Sequence, residues 1–357
     1  MFRIEIELLW RFTNVRDSRS MLVMLDFLNV IRATGKITQA AEHAQVSYRH
    51  AWNLIEKWSE FFETPLVESR QGRGTTLTSF GERLVWAGQR LQARLGPQLQ
   101  NLAQELQSEI NALLQEGGAV VRIHASHGFA VSALQELLAQ EPGLRVDFRY
   151  VGNPTSLASM AQSGCDLAGM HLPQGDLRAR SIAAWRGVLS SEQHRAIGFV
   201  TREMGLIVAK GNPLGITGLE QLLAPGVRFV NRDPESGTRM LFDELLAQQG
   251  LDGSRIQGYE QVEYTHAAVA AYVASGMADA SFGVEAAARQ FDMDFVRLVT
   301  EDYTFVCDRR SLESDAMQRI LQVMRGEAFR QAIAALPGYS ATDPGVVRSI
   351  DEVFSPG

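Results

Sequence analysis

A short run of hydroxyl, glycine and arginine residues, Ser236–Arg239, has the composition of an anion-binding turn. The run follows a predicted strand, 227–231, and opens a predicted helix, 238–249. Free backbone N–H groups at a helix start, together with the helix dipole, favour a negatively charged ligand. The two hydroxyls can donate hydrogen bonds, and the Arg239 guanidinium can donate two in parallel. We therefore predict an anion site here, with helix capping as the simpler alternative for each hydroxyl.

Three further turns between predicted strands and helices carry similar side chains, before the helices 130–140, 156–163 and 267–275. Ligands of α/β domains bind outside the carboxyl ends of strands, so four such turns can meet at one cleft. His171 also follows a strand and could line the cleft, although a packed or surface imidazole is the alternative. The expected ligand-binding residues are Ser126, His127, Thr155, Ser156, Ser236, Gly237, Thr238, Arg239, Thr265 and His266.

The first quarter of the chain has a different pattern, in which predicted helices 21–33, 38–44 and 47–62 precede two short strands and a basic glycine loop within 66–78. The helix 47–62 has an apolar stripe on one face, so its polar residues project outward. This order is typical of a winged helix-turn-helix, whose second helix of the pair enters the DNA major groove. The expected DNA-binding residues are Thr38, Gln39, Ser47, Tyr48, Arg49, Asn53, Lys57, Arg70 and Arg73.

These DNA-binding candidates have distinct expected roles. Arg49 and Lys57 suit guanine or phosphate, whereas Asn53 suits adenine. Thr38 and Ser47 are expected to cap the two helices and to donate to phosphates. The two arginines of the glycine loop would approach the backbone or the minor groove. An ordinary solvated helix pair is the alternative reading of the segment.

The segment Gly35–Ser47, GKITQAAEHAQVS, resembles the helix-turn-helix of LysR-type regulators. Its continuation through Tyr48–Asn53, Pro65–Arg70 and Leu77–Leu84 is more similar to the molybdate-responsive ModE regulators. The resemblance implies a homodimer held through a long helix, or a homotetramer, bound to an operator with two half-sites.

Three later runs, Val208–Leu214, Asn231–Arg239 and Ala278–Gly283, resemble the effector half of LysR-type proteins. That resemblance implies a periplasmic-binding-protein fold of two lobes with a ligand cleft. The run Asn231–Arg239 also resembles an anion-binding turn of domains associated with molybdate and tungstate. The effector half of ModE proteins is built from small barrels instead. The similarity of the DNA-binding segment to ModE therefore does not by itself identify the ligand.

The predicted fold class is α/β, with a winged helix-turn-helix, a long helix and a two-lobed type II periplasmic-binding-protein-like domain. Pro97 is expected to kink or divide the long helix, and Gly117-Gly118 marks a domain boundary. The predicted organisation is an N-terminal arm 1–20, a DNA-binding domain 21–79, a linker and dimerisation helix 80–117, an effector domain 118–340 with lobe I (118–210 and 301–340) and lobe II (211–300), and a C-terminal tail 341–357.

The composition limits the classes of protein that fit. With 357 residues, 45% hydrophobic and 21% charged, the chain is expected to be globular with about two domains. It shows no membrane span or secretory signal, and two cysteines are too few for a disulfide framework or a cysteine-rich zinc site, so a cytoplasmic location is expected. Residues 1–95 carry a net charge of +3 and the rest of the chain a net charge of −10. The positive charge of the first segment permits it to contact nucleic acid.

No motif for a nucleophile, a phosphate-cradling lysine or a paired-histidine metal site is present, so we expect neither an enzyme nor a cofactor or metal. The sequence predicts a DNA-binding transcription regulator whose effector domain senses a small oxyanion, molybdate or tungstate. Its expected partners are a double-stranded operator, the anionic effector and further copies of the chain, without a membrane. The alternatives are a LysR-type regulator of a small organic acid or another anion, and a molybdate-binding storage or delivery protein.

Overall fold

The computed structural model describes residues 4–13, 18–20, 22–70, 74–113, 120–185 and 187–354. The chain divides into two compact units, a head formed by Glu7–Ala93 and an effector unit formed by Met1–Ile6 with Arg94–Gly357. Within the described ranges, no helix combines the length and the apolar character that crossing a bilayer requires.

The head contains helices joined by tight turns and two small antiparallel hairpins, β1–β2 and β3–β4. The last helix, α4, continues beyond the head. The elements are β1 (Arg11–Thr13), β2 (Ser18–Ser20), α1 (Leu22–Thr34), α2 (Ile37–His43), α3 (Tyr48–Phe61), β3 (Val67–Arg70), β4 (Gly74–Leu77) and α4 (Ser79–Leu113).

The two predicted helix caps of the head have different outcomes. Ser47 is the N-cap of α3 and accepts a hydrogen bond from the His50 N–H at 3.2 Å, which confirms the predicted cap. The capping prediction for Thr38 is wrong, because Lys36 is the N-cap of α2 and no side chain caps that helix. Ile37 is buried in the head core and begins the helix, which leaves Thr38 exposed within the first turn.

The head core forms around the predicted apolar stripe of α3. Ala51, Ile55 and Trp58 are each at most 3% exposed. Trp10 and Phe12, from the segment interpreted as an N-terminal arm of unknown role, pack against this core. The Phe12 ring meets the Trp58 ring edge-on with 6.2 Å between the centroids. The N-terminal hairpin therefore extends the core instead of standing apart from it.

The effector unit alternates strands and helices, as the sequence predicted. Its elements after α4 are β5 (Val120–Ala125), α5 (Phe129–Ala139), β6 (Arg145–Tyr150), α6 (Asn153–Ala161), β7 (Leu167–Pro173), α7 (Arg178–Trp185), β8 (His194–Val208), β9 (Phe229–Arg232), α8 (Gly237–Gln248), β10 (Val262–Glu263), α9 (His266–Ala274), β11 (Ala280–Val284), α10 (Glu285–Gln290), β12 (Asp294–Asp308), α11 (Asp315–Arg325), α12 (Glu327–Ala334), β13 (Tyr339–Ser340), β14 (Val347–Ser349) and α13 (Ile350–Phe354).

One sheet runs through the effector unit in the order β10-β9-β11-β8-β12-β7-β5-β6. The long strands β8 and β12 are antiparallel, and their register runs from the pair Asp294/Val208 to the pair Asp308/His194. On one side lie the parallel strands β5, β6 and β7 of lobe I, and on the other lie β9, β10 and β11 of lobe II. Both lobes therefore share β8 and β12, which join them.

Several element boundaries differ from the prediction. The apolar runs 295–298 and 305–307 each predict a short strand. The structure has one strand there, β12, because the polar stretch between the runs interrupts the apolar pattern but not the pairing. The sequence also predicts one helix over 315–335. The structure has two helices there, separated at Gly326, whose extended backbone ends α11. Helix α4 contains Pro97 and is a single helix, so a division there is wrong.

Two predicted domain boundaries lie near the ends of the effector unit. The boundary predicted at Gly117-Gly118 lies outside the described residues. The segment interpreted as a C-terminal tail supplies β14, which pairs with β8, and α13, whose Ile350 is buried.

Candidate effector cleft and nucleic-acid interface

A cavity of about 470 Å³ lies between the two lobes, where four helices begin. Its lining includes residues from the turn before α5, from the first turn of α6, from the start of α8 and from the start of α9. The starts of helices that follow strands are thereby brought together at one cleft. Of the residues predicted to bind ligand, the lining contains Ser126, His127, Thr155, Ser236, Gly237, Thr238 and His266.

Two other predicted residues use their hydroxyls within the fold and are not part of the described cavity lining. The Ser156 hydroxyl is buried and donates to the His124 carbonyl at 2.8 Å. Thr265 caps α9, and its hydroxyl oxygen accepts from the Ala268 N–H at 2.9 Å. Both hydroxyls therefore cap or pack within the fold, which is the alternative to ligand binding for these residues.

Arg239 also lies outside the described lining of the cavity. Its Nε lies 3.0 Å from both carboxylate oxygens of Asp243, one helical turn further along α8. The guanidinium carbon stands 4.0 Å from the centroid of the Tyr259 ring. The structure therefore does not bring the Arg239 side chain together with the other predicted anion ligands.

A different arginine, Arg232, lines the cavity at the carboxyl end of β9. The residue is 7% exposed, and its Nη2 donates to the Tyr264 carbonyl at 3.0 Å. Its Nε and Nη1 are buried and have no hydrogen-bond partner among the described residues. Burial and the nearby Arg202 lower the pKa of Arg232 to about 10, so the guanidinium is charged at neutral pH. Such a buried and incompletely satisfied cation favours the arrival of an anion.

The sequence analysis did not identify Arg232 as a ligand-binding residue, although Arg232 lies inside the run Asn231–Arg239. A usable signal was present, because a charged residue at the end of a buried strand, shortly before the predicted anion-binding turn, is costly to bury without a partner. A second signal concerned Arg239 and Asp243, whose i,i+4 spacing on one helix predicts an ion pair.

Three imidazoles surround the same cavity: those of His127, His171 and His266. Burial lowers the pKa of His127 to about 4, with a further contribution from Arg232. Burial and the two cleft arginines likewise hold the pKa values of His171 and His266 well below the ordinary value. The three rings are therefore neutral at pH 7, and each can donate one hydrogen bond and accept one.

An ion pair lies at the cavity floor, where β8 and β12 cross between the lobes. The Arg202 Nη2 is 2.6 Å and its Nε 2.8 Å from the same Glu301 oxygen. These two charges compensate each other, whereas the carboxylate that acts on the Arg232 charge, Asp233, is only partly buried. Two carboxylates, Asp233 and Glu235, also line the cavity, in its more exposed part.

The head presents a second candidate surface on α2 and α3. Ser47, Tyr48, Arg49, Asn53 and Lys57 are exposed, and Tyr48 is 52% exposed although it is aromatic. Thr38 and Gln39 are exposed on α2.

The loop candidates are only partly described. Arg73 lies outside the described residues, and of Arg70 the structure describes the backbone, which pairs with Gly74. The described part of the surface combines cationic, amide and hydroxyl groups, which suits contact with phosphates and base edges.

Two family models match the chain. Residues 134–325 match the model of a PBP superfamily domain. Residues 22–82 match the model described as a bacterial regulatory helix-turn-helix protein of the lysR family. These matches confirm the predicted fold, a winged helix-turn-helix followed by a two-lobed binding-protein domain, and the resemblance on which it was based.

Relatives match different parts of the chain. An uncharacterized protein of Bacillus subtilis, YvgK, is 32% identical over 208 residues, which cover 58% of this chain and 66% of YvgK. The transcriptional regulator ModE of Haemophilus influenzae is 40% identical over 62 residues, covering 16% of this chain and 24% of ModE. The molybdenum transport protein ModE of Azotobacter vinelandii is 31% identical over 138 residues, covering 38% and 48%. The chain thus spans less than two-thirds of the length of each of these relatives.

Proposed function

The chain belongs to the PBP superfamily and is a LysR-type regulator with a ModE-like helix-turn-helix, and from this premise we propose that it regulates transcription in response to a small oxyanion, molybdate or tungstate. The observation that carries the ligand proposal is Arg232, a buried cation in the cleft with two guanidinium nitrogens that no described residue satisfies. The head would bind the operator, and the effector unit would sense the anion.

The cleft offers an oxyanion several kinds of donor at once. Arg232 supplies the compensating charge and two N–H groups. The start of α8 adds backbone N–H groups and the helix dipole, and the Ser126 and Thr238 hydroxyls stand in the same lining. The neutral imidazole of His171 can donate one more hydrogen bond, whereas the His266 Nε2 accepts from the Arg202 Nη1 at 3.4 Å. A compact anion with oxygens on all sides would use these converging donors.

Two lines of support favour molybdate or tungstate within this class. The first is the similarity of the head to proteins named ModE, one of which is named as a molybdenum transport protein. The second is the run Asn231–Arg239, which resembles anion-binding turns of molybdate- and tungstate-associated domains and contains Arg232.

A small organic acid is a second candidate, and the size of the cleft favours it. The volume of about 470 Å³ falls within the range of sites for organic ligands. Tyr150, Met240 and Tyr264 contribute aromatic and apolar surface to the lining. A carboxylate placed on Arg232 would leave its organic part against these side chains.

The proposed DNA contact uses the exposed side chains of α3. The major groove admits one helix, and Arg49 can donate to guanine while Asn53 can pair with adenine. A single head would read one half-site. Reading an operator with two half-sites therefore calls for a homodimer or homotetramer, which we propose on the basis of the LysR-type family.

The ligand proposal is tested by melting the full chain with sodium molybdate, tungstate, sulfate, phosphate, formate and benzoate. A ligand that binds the folded state alone raises the melting temperature with its concentration. We expect molybdate and tungstate to give the largest shifts, and calorimetry to give saturable binding of one anion per chain. A shift with benzoate alone would support the organic-acid candidate. No shift with any of the six anions would contradict both.

A further inference from the structure

The part of α4 that belongs to the effector unit holds the end of β6 in lobe I. The Asn101 side chain accepts a hydrogen bond from the Tyr150 N–H at 2.9 Å and donates one to the Tyr150 carbonyl at 3.1 Å. This pair of bonds resembles the pairing that a neighbouring strand would provide. Tyr150 also lines the cleft, so the contact reaches the wall of the ligand site.

The same helix reaches lobe II through Arg94. Its Nε lies 3.8 Å from a carboxylate oxygen of Glu263, and its guanidinium carbon lies 5.4 Å from the centroid of the Tyr264 ring. Tyr264 is also the residue whose carbonyl accepts the hydrogen bond from Arg232. The helix therefore contacts the residue that positions the cation of the proposed site.

Pro97 lies between these two anchors along the helix and lines the cavity itself. Positions 94, 97 and 101 are spaced i, i+3 and i+7, which places them on one face of α4. The Pro97 ring contributes apolar surface of α4 to the cavity at this point. The cleft thus has a third wall, formed by α4 in addition to the two lobes.

The two lobes also contact each other directly. A methyl group on Gly152 of lobe I would lie 3.0 Å from the Glu235 carbonyl oxygen of lobe II. The Ser181 hydroxyl of α7 lies 3.4 Å from a carboxylate oxygen of Glu244 in α8. In the arrangement that α4 bridges, the two lobes are therefore in contact with each other across the cleft, which we call the closed arrangement.

We propose that α4 is a strap that docks across both lobes only when they are closed, so that effector binding and helix docking reinforce each other. The anchors on Tyr150 and Tyr264 belong to different lobes, and separating the lobes would stretch or break at least one of them. Coupling of this kind is reciprocal: whatever docking adds to ligand affinity, the ligand adds to docking. This inference rests on the proposed anion site, and it makes the helix that leads to the head a direct reporter of ligand occupancy.

The test measures sodium molybdate binding by calorimetry to the full chain and to Asn101→Ala and Arg94→Gln variants. We expect each variant to bind at least about fivefold more weakly, in the range of typical coupling factors. Glu105→Ala, an exposed position on the same helix, is the matched control and should bind like the wild type. Arg94 is 45% exposed in its side chain, so its replacement should not impair folding.

The outcomes separate the two proposals. Wild-type binding combined with unchanged affinity in both anchor variants would overturn the coupling alone. A wild type that does not bind molybdate would overturn the coupling together with the oxyanion site. Hydrogen exchange measures the docking of α4 on lobe I in the absence of ligand. The Tyr150 N–H should exchange faster in the Asn101→Ala variant than in the wild type. Equal exchange at Tyr150 in the two proteins would overturn the docked helix.

Discussion

Arg202 and Glu301 are register partners on β8 and β12, and their side chains form a salt bridge that is 3% and 2% exposed. The pair lies at the crossing of the two strands that join the lobes, directly beneath the proposed anion site. The Glu301 oxygen that binds Arg202 is also 3.6 Å from the Nδ1 of His171. The floor of the cleft and the junction between the lobes are therefore built from the same ionic contact.

The first prediction concerns this pair. Glu301→Gln keeps the side-chain shape but leaves the Arg202 charge buried without its partner, which should cost about 3–5 kcal/mol of unfolding free energy. Urea denaturation measures the loss. Arg310→Gln, which removes an 86% exposed partner of Asp308, is the control and should cost less than about 1 kcal/mol. A loss for Glu301→Gln no larger than that of the control would mean that the buried pair does not hold the junction.

The second prediction concerns Arg232. Arg232→Gln should weaken molybdate binding by about 100-fold, roughly 3 kcal/mol, because the anion loses its counter-charge and charge-assisted hydrogen bonds. The unfolding free energy should change little, since the replacement removes a buried charge whose neighbouring carboxylate, Asp233, is only partly buried. Arg228→Gln, which loses a 45% exposed partner of Asp279 in the same lobe, is the calorimetric control. Retained affinity in Arg232→Gln would remove the central support of the proposed site.

The third prediction concerns the head. Arg49→Ala should weaken operator binding by about 1–3 kcal/mol, because a base or phosphate contact in the major groove is lost. A gel-shift titration at fixed salt measures the change, with Arg310→Ala in the effector unit as the control. Unaltered binding would argue against α3 as the recognition helix. A wild type without salt-dependent, sequence-specific DNA binding would favour a storage or delivery protein instead.

The fourth prediction is a loss of stability in mild acid. The pKa of His127 is lowered to about 4 in the folded protein, against about 6.5 in the unfolded chain. Below pH about 6.5 the unfolded chain therefore binds more protons, and stability falls as the pH falls. At pH 5 the cost from this residue is about 2 kcal/mol.

The depressed pKa values of His171 and His266 act in the same direction as that of His127. Urea denaturation at pH 7.5 and pH 5 measures the combined loss. His127→Gln should lose less stability over this interval than the wild type. If the two proteins respond to pH equally, His127 is not held neutral by its surroundings in the cleft.

Local sequence patterns determined much of this protein. The apolar stripe and cap of α3, the alternation of strands and helices after residue 120 and the position of four turns all depend on neighbours within a few residues. Periodicity and capping are interactions of this short range, so a sequence alone can express them. Where a polar stretch crossed the lobe junction, as in β12, the same local pattern concealed a continuous strand.

The tertiary structure alone decided which side chains meet in the cleft. The pairing of Arg202 with Glu301 depends on a register between strands 99 residues apart. The two Arg232 nitrogens without a hydrogen-bond partner among the described residues and the contact of Asn101 with Tyr150 likewise depend on segments that only the folded chain brings together. Such contacts follow from long-range register and packing, which do not produce a periodic pattern in the sequence. The sequence therefore predicts where in the fold a ligand could bind, but not which cation would bind it.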